Sequence, residues 1–446
     1  MSADLPDKET LGIAALRSGV VARIRASRGA RSGAGLAIAI ALLTGGGYLY
    51  NLACIRYLGT SRFGDVATML SLGVLAALPL GGVQNLIARQ TAHLKAIGDI
   101  NAIRALFRRS VKWTLIIGVV ITGGAMAASA PIGRLVNVDS PAVVAIGLSA
   151  IVFFAVGAIL YGFVQGMQRF RGLGVAYAMS GISRPVLVAP ALVVGLGSAG
   201  ALGVNAIAAA LAVAIAGFVV RDLWSGRQLP TIAPRLDRRE VATMVGGTLA
   251  FASLTNVDVV LANSLLDDHA GGIYAAAALA AKLLLLISTV VAIVLLPKAT
   301  ARVAEGRSAV PILVASIVAT AALSVVAVVA LALVPERLVV WAFGGDFAES
   351  TGLLGLFAAA MGLAGLVNVY LLFYLAHRDT RFPMLVGAAA IVQVVAIALW
   401  HPSPRGIILV TLVCCAGVLI VHETLFRYSI IRNLRVLRSG AGAVAN

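Results

Sequence analysis

The chain has 446 residues, of which 60% are hydrophobic and only 12% are charged. A soluble domain has roughly 25% charged residues, so this composition excludes most water-soluble folds. A membrane helix needs about 20 mostly apolar residues, and the chain contains many runs of that length. Cys54, Cys414 and Cys415 all lie inside such runs, so the sequence predicts neither a disulfide framework nor a zinc site.

The first 34 residues form a basic segment that carries six Lys and Arg before the first long apolar run begins. That run is too long for a signal peptide, and no small-residue cleavage site is followed by a soluble domain. We expect residues 1–34 to be cytoplasmic, either as a short helix on the anionic inner leaflet or as a disordered tail.

Hydropathy predicts an all-α polytopic membrane protein with twelve spans. They lie near residues 35–58, 65–88, 112–130, 142–166, 174–196, 201–220, 241–265, 273–296, 310–334, 352–375, 384–400 and 406–426. With both termini in the cytoplasm, the inner segments hold 28 of the 35 Lys and Arg and the outer loops hold five. This asymmetry is typical of the positive-inside rule, and it predicts a multi-pass protein of the plasma or inner membrane. It also explains the net charge of +17 without a nucleic-acid partner.

The longest predicted inner connection divides the twelve spans six and six. It predicts an N-lobe at 35–220, an inter-lobe linker at 221–240, a C-lobe at 241–426 and a basic cytoplasmic tail at 427–446. Because six is even, the two lobes would run in the same direction and be related by a pseudo-twofold axis along the membrane normal. A cavity between two such lobes is an arrangement used for alternating access.

Three weak matches at nearly one offset support an internal repeat between the lobes. Gly64 corresponds to Gly272 at an offset of 208, and Arg89 corresponds to Lys298 at an offset of 209. The dipeptide at 169–170 resembles the one at 381–382, at an offset of 212. Each match is weak alone, and their agreement indicates the repeat.

Residues 56–65, with the sequence Arg-Tyr-Leu-Gly-Thr-Ser-Arg-Phe-Gly-Asp, resemble the Arg-x-Leu-Gly-x-x-x-Phe-Gly motif of the polysaccharide transporter family. Further similarity lies in residues 166–170, in 270–276 and in the Leu-Pro pair at 296–297. This family of oligosaccharide flippases belongs to the multidrug/oligosaccharidyl-lipid/polysaccharide flippase superfamily. The resemblance covers the first eight spans well and the last four mainly by topology.

The resemblance implies a V-shaped, two-lobe transporter and not an enzyme. Its substrate would be a polyprenyl-pyrophosphate-linked oligosaccharide, moved from the inner to the outer leaflet during polysaccharide biosynthesis. Its partners would be membrane lipids, and a polysaccharide polymerase and glycosyltransferases could act with it. We expect no bound cofactor, and either the membrane potential or a Na⁺ or H⁺ gradient could drive transport.

Arg184 is the first candidate for the site, because it lies about ten residues into the fifth predicted span. A charge near the bilayer centre costs at least ~2.5 kcal/mol, so it suggests a function by default. We expect its guanidinium to face the cavity and to hold the substrate pyrophosphate. The alternative is a structural arginine that is bonded to carbonyls of a neighbouring helix.

Lys282 and Asp258 lie at similar depths, roughly 15 and 12 Å below the outer ends of adjacent predicted spans. They could therefore pair between antiparallel helices. One interpretation is a neutralised structural pair, and the other is an ion-coupling site at Asp258 whose occupancy controls Lys282.

Several polar residues are weaker candidates. Asn51 and Arg56 would make the upper wall of the N-lobe polar, and Gln84 and Asn85 could bond sugar hydroxyls, as could Asn368 and Gln393. Hydrogen bonds between helices explain the amides equally well. His422 and Glu423, near the inner end of the last span, fit a simple interfacial position.

Three other functions remain as alternatives. A multidrug cation antiporter would favour acidic groups, whereas the embedded basic residues outnumber Asp258. A lipid-linked glycosyltransferase or polymerase could use Asp267 and Asp268, but it needs a larger outer region than these loops supply. A flippase for a peptidoglycan precursor often has extra spans. The glycine pattern at 195–200 spells a dinucleotide fingerprint without the strand that such a site requires.

Overall fold

A computed structural model describes residues 8–225, 238–285, 310–377, 379–400 and 403–429. Helices and turns account for this described part of the chain, and it contains no strand. The main helices are α1 Lys8–Ala96, α2 Ile100–Ala127, α3 Ser129–Val136, α4 Pro141–Gly166, α5 Phe170–Val193, α6 Gly197–Val219, α7 Arg238–Leu265, α8 268–285, α9 Val310–Ala332, α10 Glu336–Phe343, α11 Thr351–Ala376, α12 Arg381–Leu399 and α13 Pro404–Leu425. Short 3₁₀ turns, Arg221–Leu223 and Gly345–Ser350, follow α6 and α10.

Helix α1 is two helical arms that meet at Gly59, where φ is 74° and ψ is 179°. This conformation is accessible almost only to glycine, because a Cβ would clash with the backbone. We call residues 8–58 α1a and residues 60–96 α1b. The kink therefore turns the chain between the first and second predicted spans without a loop.

The helices alternate in direction, which gives the bundle two ends. The Gly59 end holds the kink, the short helices α3 and α10, and the turn before α8. The Arg169 end holds the turns after α1b, α4 and α11, together with the 3₁₀ turn Arg221–Leu223.

The membrane-length helices of the described chain fall into two groups, of which the second comprises α7, α9, α11, α12 and α13, with α8 joined to α7 through Lys282 and Asp258. In the first group, α1 packs on α4 and α5, and α6 packs on both α4 and α5. In the second, α11 packs on α9 and α13, while α12 packs on α7 and α13. The groups meet where α1 contacts α7 and α10 and where α3 contacts α7.

The predicted fold is confirmed. Ten stretches of the described chain are long and apolar enough to cross a membrane, and one of them, Ile38–Ala96, holds the first two predicted spans. Helix α8 is the described part of the eighth predicted span. Helix α2 begins at Ile100, before the third predicted span, and Asp99 caps its first turn by accepting a hydrogen bond from the amide of Ala102.

Some predictions fall outside the described residues. These are most of the linker, most of the basic tail, the Leu-Pro pair at 296–297 and the Lys298 half of one repeat match. The lobe boundaries stay predictions.

Candidate functional site

A cavity of about 220 Å³ lies inside the first group of helices, at the level of the middle of α5. All of its lining residues belong to α1, α4, α5 and α6, so this space lies within one half of the chain and not between the halves. Its polar lining residues are Gln84, Tyr161, Tyr177, Ser180 and Arg184. Two of the residues predicted from sequence, Arg184 and Gln84, are therefore brought to one cavity.

Arg184 reaches this cavity because α5 and α1a approach each other closely. A Cβ built on Gly46 would lie 2.9 Å from the Cα of Gly181, so neither position has space for a side chain. One residue further along α1a, a Cβ built on Gly47 would lie 3.6 Å from Nη1 of Arg184. The small residues of α1a thus make room for the guanidinium.

The Arg184 guanidinium is half-buried, and its Nε is buried with no hydrogen-bond partner. The hydroxyls of Tyr50 and Tyr161 lie within its electrostatic reach. A buried donor without a partner costs about 1–3 kcal/mol, more when it is charged. The arrangement therefore leaves the guanidinium able to take an anionic oxygen as a new acceptor.

Gln84 lies at the part of the cavity nearer the Arg169 end. Its Nε2 donates to the Tyr177 hydroxyl at 3.3 Å and to Oε1 of Gln165 at 3.4 Å. The rings of Tyr161 and Tyr177 pack edge to face with their centroids 5.2 Å apart. The result is a half-buried group of two phenols and one amide on the cavity wall, with the amide of Gln165 behind Gln84.

Lys282 and Asp258 are brought together in the second half of the chain. Nζ of Lys282 lies 3.6 Å from Oδ1 of Asp258, and it donates to Oδ1 of Asn256 at 3.4 Å. The Tyr274 hydroxyl donates to Oδ2 of Asp258 at 2.7 Å. Asp258 is completely buried and the Lys282 side chain is 17% exposed, so the pair is largely shielded from solvent.

Arg56, Asn51 and Asn85 lie apart from this cavity. Arg56 is exposed at the Gly59 end, where its Nη1 donates to the carbonyl of Trp341 in α10 at 2.6 Å. Asn51 donates to the carbonyl of Gly47 within α1a at 2.8 Å, and Asn85 is exposed on α1b. Arg56 therefore joins the two halves of the chain, and Asn51 is bonded within its own helix.

Gln393 is bonded between helices in this structure. Its Nε2 donates to the carbonyl of Leu254 at 3.1 Å and to the Thr411 hydroxyl at 2.8 Å, and the side chain is fully buried.

Sequence reasoning missed the two tyrosines of the cavity and a second polar cluster, around His422. Tyrosines within apolar runs give no signal of their own. His422 is completely buried, with Nε2 3.1 Å from the Tyr374 hydroxyl and its ring centroid 4.0 Å from that of Tyr370. The Tyr370 hydroxyl donates to Glu423 at 2.6 Å. The structure adds that His422 is a core residue at the Arg169 end, while its interfacial position stays a prediction.

Solved structures of the same fold include both drug transporters and a flippase. The chain superposes on the lipid II flippase MurJ in an inward closed conformation with a TM-score of 0.66, at 12% identity over 92% of this chain and 93% of that one. An inward-facing multidrug resistance MATE family transporter of the MOP superfamily gives a TM-score of 0.64, at 14% identity over 89% and 96%. A MOP superfamily transporter from Pyrococcus furiosus, described by the reverse polarity of its binding pocket, gives a TM-score of 0.59. The identity is 16%, over 91% of this chain and 96% of that one. These likenesses show the fold.

The family is shown by sequence. None of the curated proteins matches the chain. Residues 31–301, more than half of the chain, match the family described as polysaccharide biosynthesis protein. The chain therefore belongs to the polysaccharide biosynthesis protein family, as its resemblance to the oligosaccharide flippases predicted, and it is a multi-pass membrane protein with the two-lobe fold of that superfamily.

Proposed function

We propose that the protein flips a polyprenyl-pyrophosphate-linked oligosaccharide from the inner to the outer leaflet by alternating access. The observation that carries the proposal is the Arg184 guanidinium in the cavity, with an unpartnered buried Nε. A pyrophosphate supplies the anionic acceptors that this group lacks, and the planar fork of arginine suits them. The polyprenyl tail would stay in lipid while the head group crosses.

The proposed orientation puts the Arg169 end in the cytoplasm. Arg169, Arg171, Arg221 and Arg239 all lie at this end. With this orientation, a head group with two negative charges moves outward across an inside-negative membrane. Moving each charge outward then releases about 2.3 kcal/mol of free energy per 100 mV of membrane potential, so the potential alone favours export.

The Lys282 and Asp258 pair supports a second source of energy. Protonation of Asp258, or binding of Na⁺ to it, would compete with Lys282 for the same carboxylate. Because the pair is buried, such an event would change the packing of α7 against α8. A Na⁺ or H⁺ gradient could then bias the conformational cycle.

The test is the variant Arg184→Ala in cells that make the surface polysaccharide. We expect the lipid-linked glycan to accumulate at the inner leaflet while protein abundance is unchanged, and Arg184→Lys to restore part of the export. Arg337→Ala is the matched control, because Arg337 is an exposed arginine at the Gly59 end. Normal export by Arg184→Ala would remove this residue from the mechanism.

The rival function is efflux of organic cations. Its expected signature is drug resistance that depends on the protein and that Arg184→Ala leaves intact or increases, because Arg184 repels cations in the cavity. A protein that confers resistance and exports no glycan would replace the flippase proposal.

A further inference from the structure

We infer that Tyr161, Tyr177 and Gln84 form a subsite for the sugar that is linked directly to the pyrophosphate, so that the cavity recognises the first sugar of the glycan. This inference rests on the proposed function and names the part of the substrate that the same cavity recognises.

Arg184 and Tyr177 lie in two parts of the same cavity. Tyr177 precedes Arg184 by seven residues on α5, which corresponds to about 10 Å along the helix at 1.5 Å per residue. Two turns of helix also bring both side chains to the same face, and both line the cavity. A diphosphate at Arg184 therefore leaves its attached sugar at the level of the two tyrosines.

Gln84, Tyr161 and Tyr177 have the chemistry of a sugar-binding surface. Phenol hydroxyls and primary amides both donate and accept hydrogen bonds, as a sugar hydroxyl requires of its partners. The tyrosine rings add apolar faces for the C–H side of a pyranose, and little conformational entropy is lost when they become ordered. Both hydrogen bonds of Gln84, at 3.3 and 3.4 Å, are longer than the common range, so the amide can exchange them for ligand.

The cavity is small for a ligand site. Its volume of about 220 Å³ is below the ~300–1,000 Å³ of sites for drug-sized ligands. It would hold a phosphate-linked monosaccharide unit and exclude a whole oligosaccharide. Selection would then depend on the first sugar, while later sugars extend beyond the cavity.

The experiment measures binding of two probes to the full-length protein in lipid nanodiscs. The first probe is farnesyl diphosphate, and the second is a panel of farnesyl diphosphates that carry one glucose, galactose or N-acetylglucosamine. We expect at least one glycosylated probe to bind more tightly than the bare diphosphate. Gln84→Leu and Tyr177→Phe should each lower the affinity for that probe about five- to tenfold, as the loss of one hydrogen bond predicts. They should change the affinity for the bare diphosphate less than about twofold.

The control is Tyr57→Phe, which removes the hydroxyl of an exposed tyrosine outside the cavity and should change neither probe. Arg184→Gln should lower the affinity for both probes equally. If Arg184→Gln changes the affinity for neither probe, Arg184 is not the pyrophosphate site, and the proposed function loses the observation that carries it. If Arg184→Gln weakens both probes but the Gln84 and Tyr177 variants do not distinguish them, or if no sugar improves binding, the pyrophosphate site stands and the sugar subsite is overturned.

Discussion

Gly64 and Gly272, the two glycines that the internal repeat equates, lie against each other at the Gly59 end. A Cβ built on Gly64 would be 3.6 Å from the backbone nitrogen of Gly272, and a Cβ built on Gly272 would be 2.7 Å from the Cα of Thr60. Two equivalent backbones that touch in this way are what a pseudo-twofold axis through the interface produces. Only glycine lets α1b and α8 approach so closely.

Polar contacts surround the two glycines and close this end of the molecule. The Ser61 hydroxyl donates to Oδ2 of Asp268 at 3.0 Å, and Asn263 donates to the carbonyl of Val136 at 3.0 Å. These bonds join residues that are more than one hundred positions apart. With the Gly59 end outside, as in the proposed orientation, an outward-open state would have to break them, because each joins the two halves of the chain.

We therefore expect Gly272→Ala to open the Gly59 end. In an Asn263→Cys background it should increase the labelling rate by a membrane-impermeant maleimide several-fold, because the added methyl group meets the backbone of Thr60 and forces α1b and α8 apart, and position 263 is only 5% exposed in this structure. Cys54 and Cys415 are buried and Cys414 is half-buried, so the signal reports mainly on position 263. Gly124→Ala is the control, since a Cβ there has no neighbour within 4 Å. Equal labelling in both variants would contradict this account of the interface.

The buried ion pair predicts a compensating double variant. Lys282→Met should leave Asp258 charged and unpaired in the core, with a loss of about 3–5 kcal/mol of stability. The double variant Asp258→Asn with Lys282→Met should recover most of that loss, and thermal unfolding in detergent measures both. A single Lys282 variant as stable as the wild type would show that the pair is not a structural contact.

The same double variant also distinguishes the two roles of the pair. A stable and active double variant would assign a structural role. A stable but inactive one would favour ion coupling, because the titratable carboxylate and its competing cation are then both absent.

Asp222 predicts an acid-dependent term in stability. It accepts a hydrogen bond at 2.7 Å from Nη2 of Arg169 at the start of α5, and this bond holds the pKa of Asp222 below its ordinary value. A depressed pKa contributes stability above the unfolded value, about 3.9, and loses it as the pH falls through the folded value. The wild type should therefore exceed Asp222→Asn in melting temperature at neutral pH, and the difference should vanish in strong acid.

The size of this effect should be small, because both side chains are partly exposed and exposed ion pairs are weak. Asp346→Asn, in an exposed turn, serves as the control at each pH. A difference between wild type and Asp222→Asn that grows in acid would have the wrong sign.

His422 predicts a loss of stability when its polar contacts are removed. His422→Phe keeps an aromatic ring in the cluster but removes the ring nitrogens that lie 3.1 Å from the Tyr374 hydroxyl and 3.2 Å from Oε1 of Glu423. Each lost hydrogen bond costs about 0.5–1.5 kcal/mol, so the melting temperature should fall. His269→Phe is the comparison, since that ring is half-exposed at the opposite end and should cost much less.

The sequence by itself determined that the chain is a multi-pass membrane protein, because crossing a bilayer requires long apolar runs that are local in the chain. The family followed in the same way, from contiguous motifs such as the one at 56–65. Arg184 could be selected because a charge inside an apolar run is rare and costly.

Only the tertiary structure decided which of the polar residues meet. Gln84 and Tyr177 are 93 positions apart, and Arg56 and Trp341 are 285 apart, so no pattern along the chain predicts either contact. The cavity lies inside one half because glycines of α1a allow α5 to approach, which is a property of packing between helices. Tyr161 and Tyr177 escaped the sequence analysis for the same physical reason: a tyrosine is compatible with an apolar run, and its hydroxyl acquires a role only from the neighbours that the fold supplies.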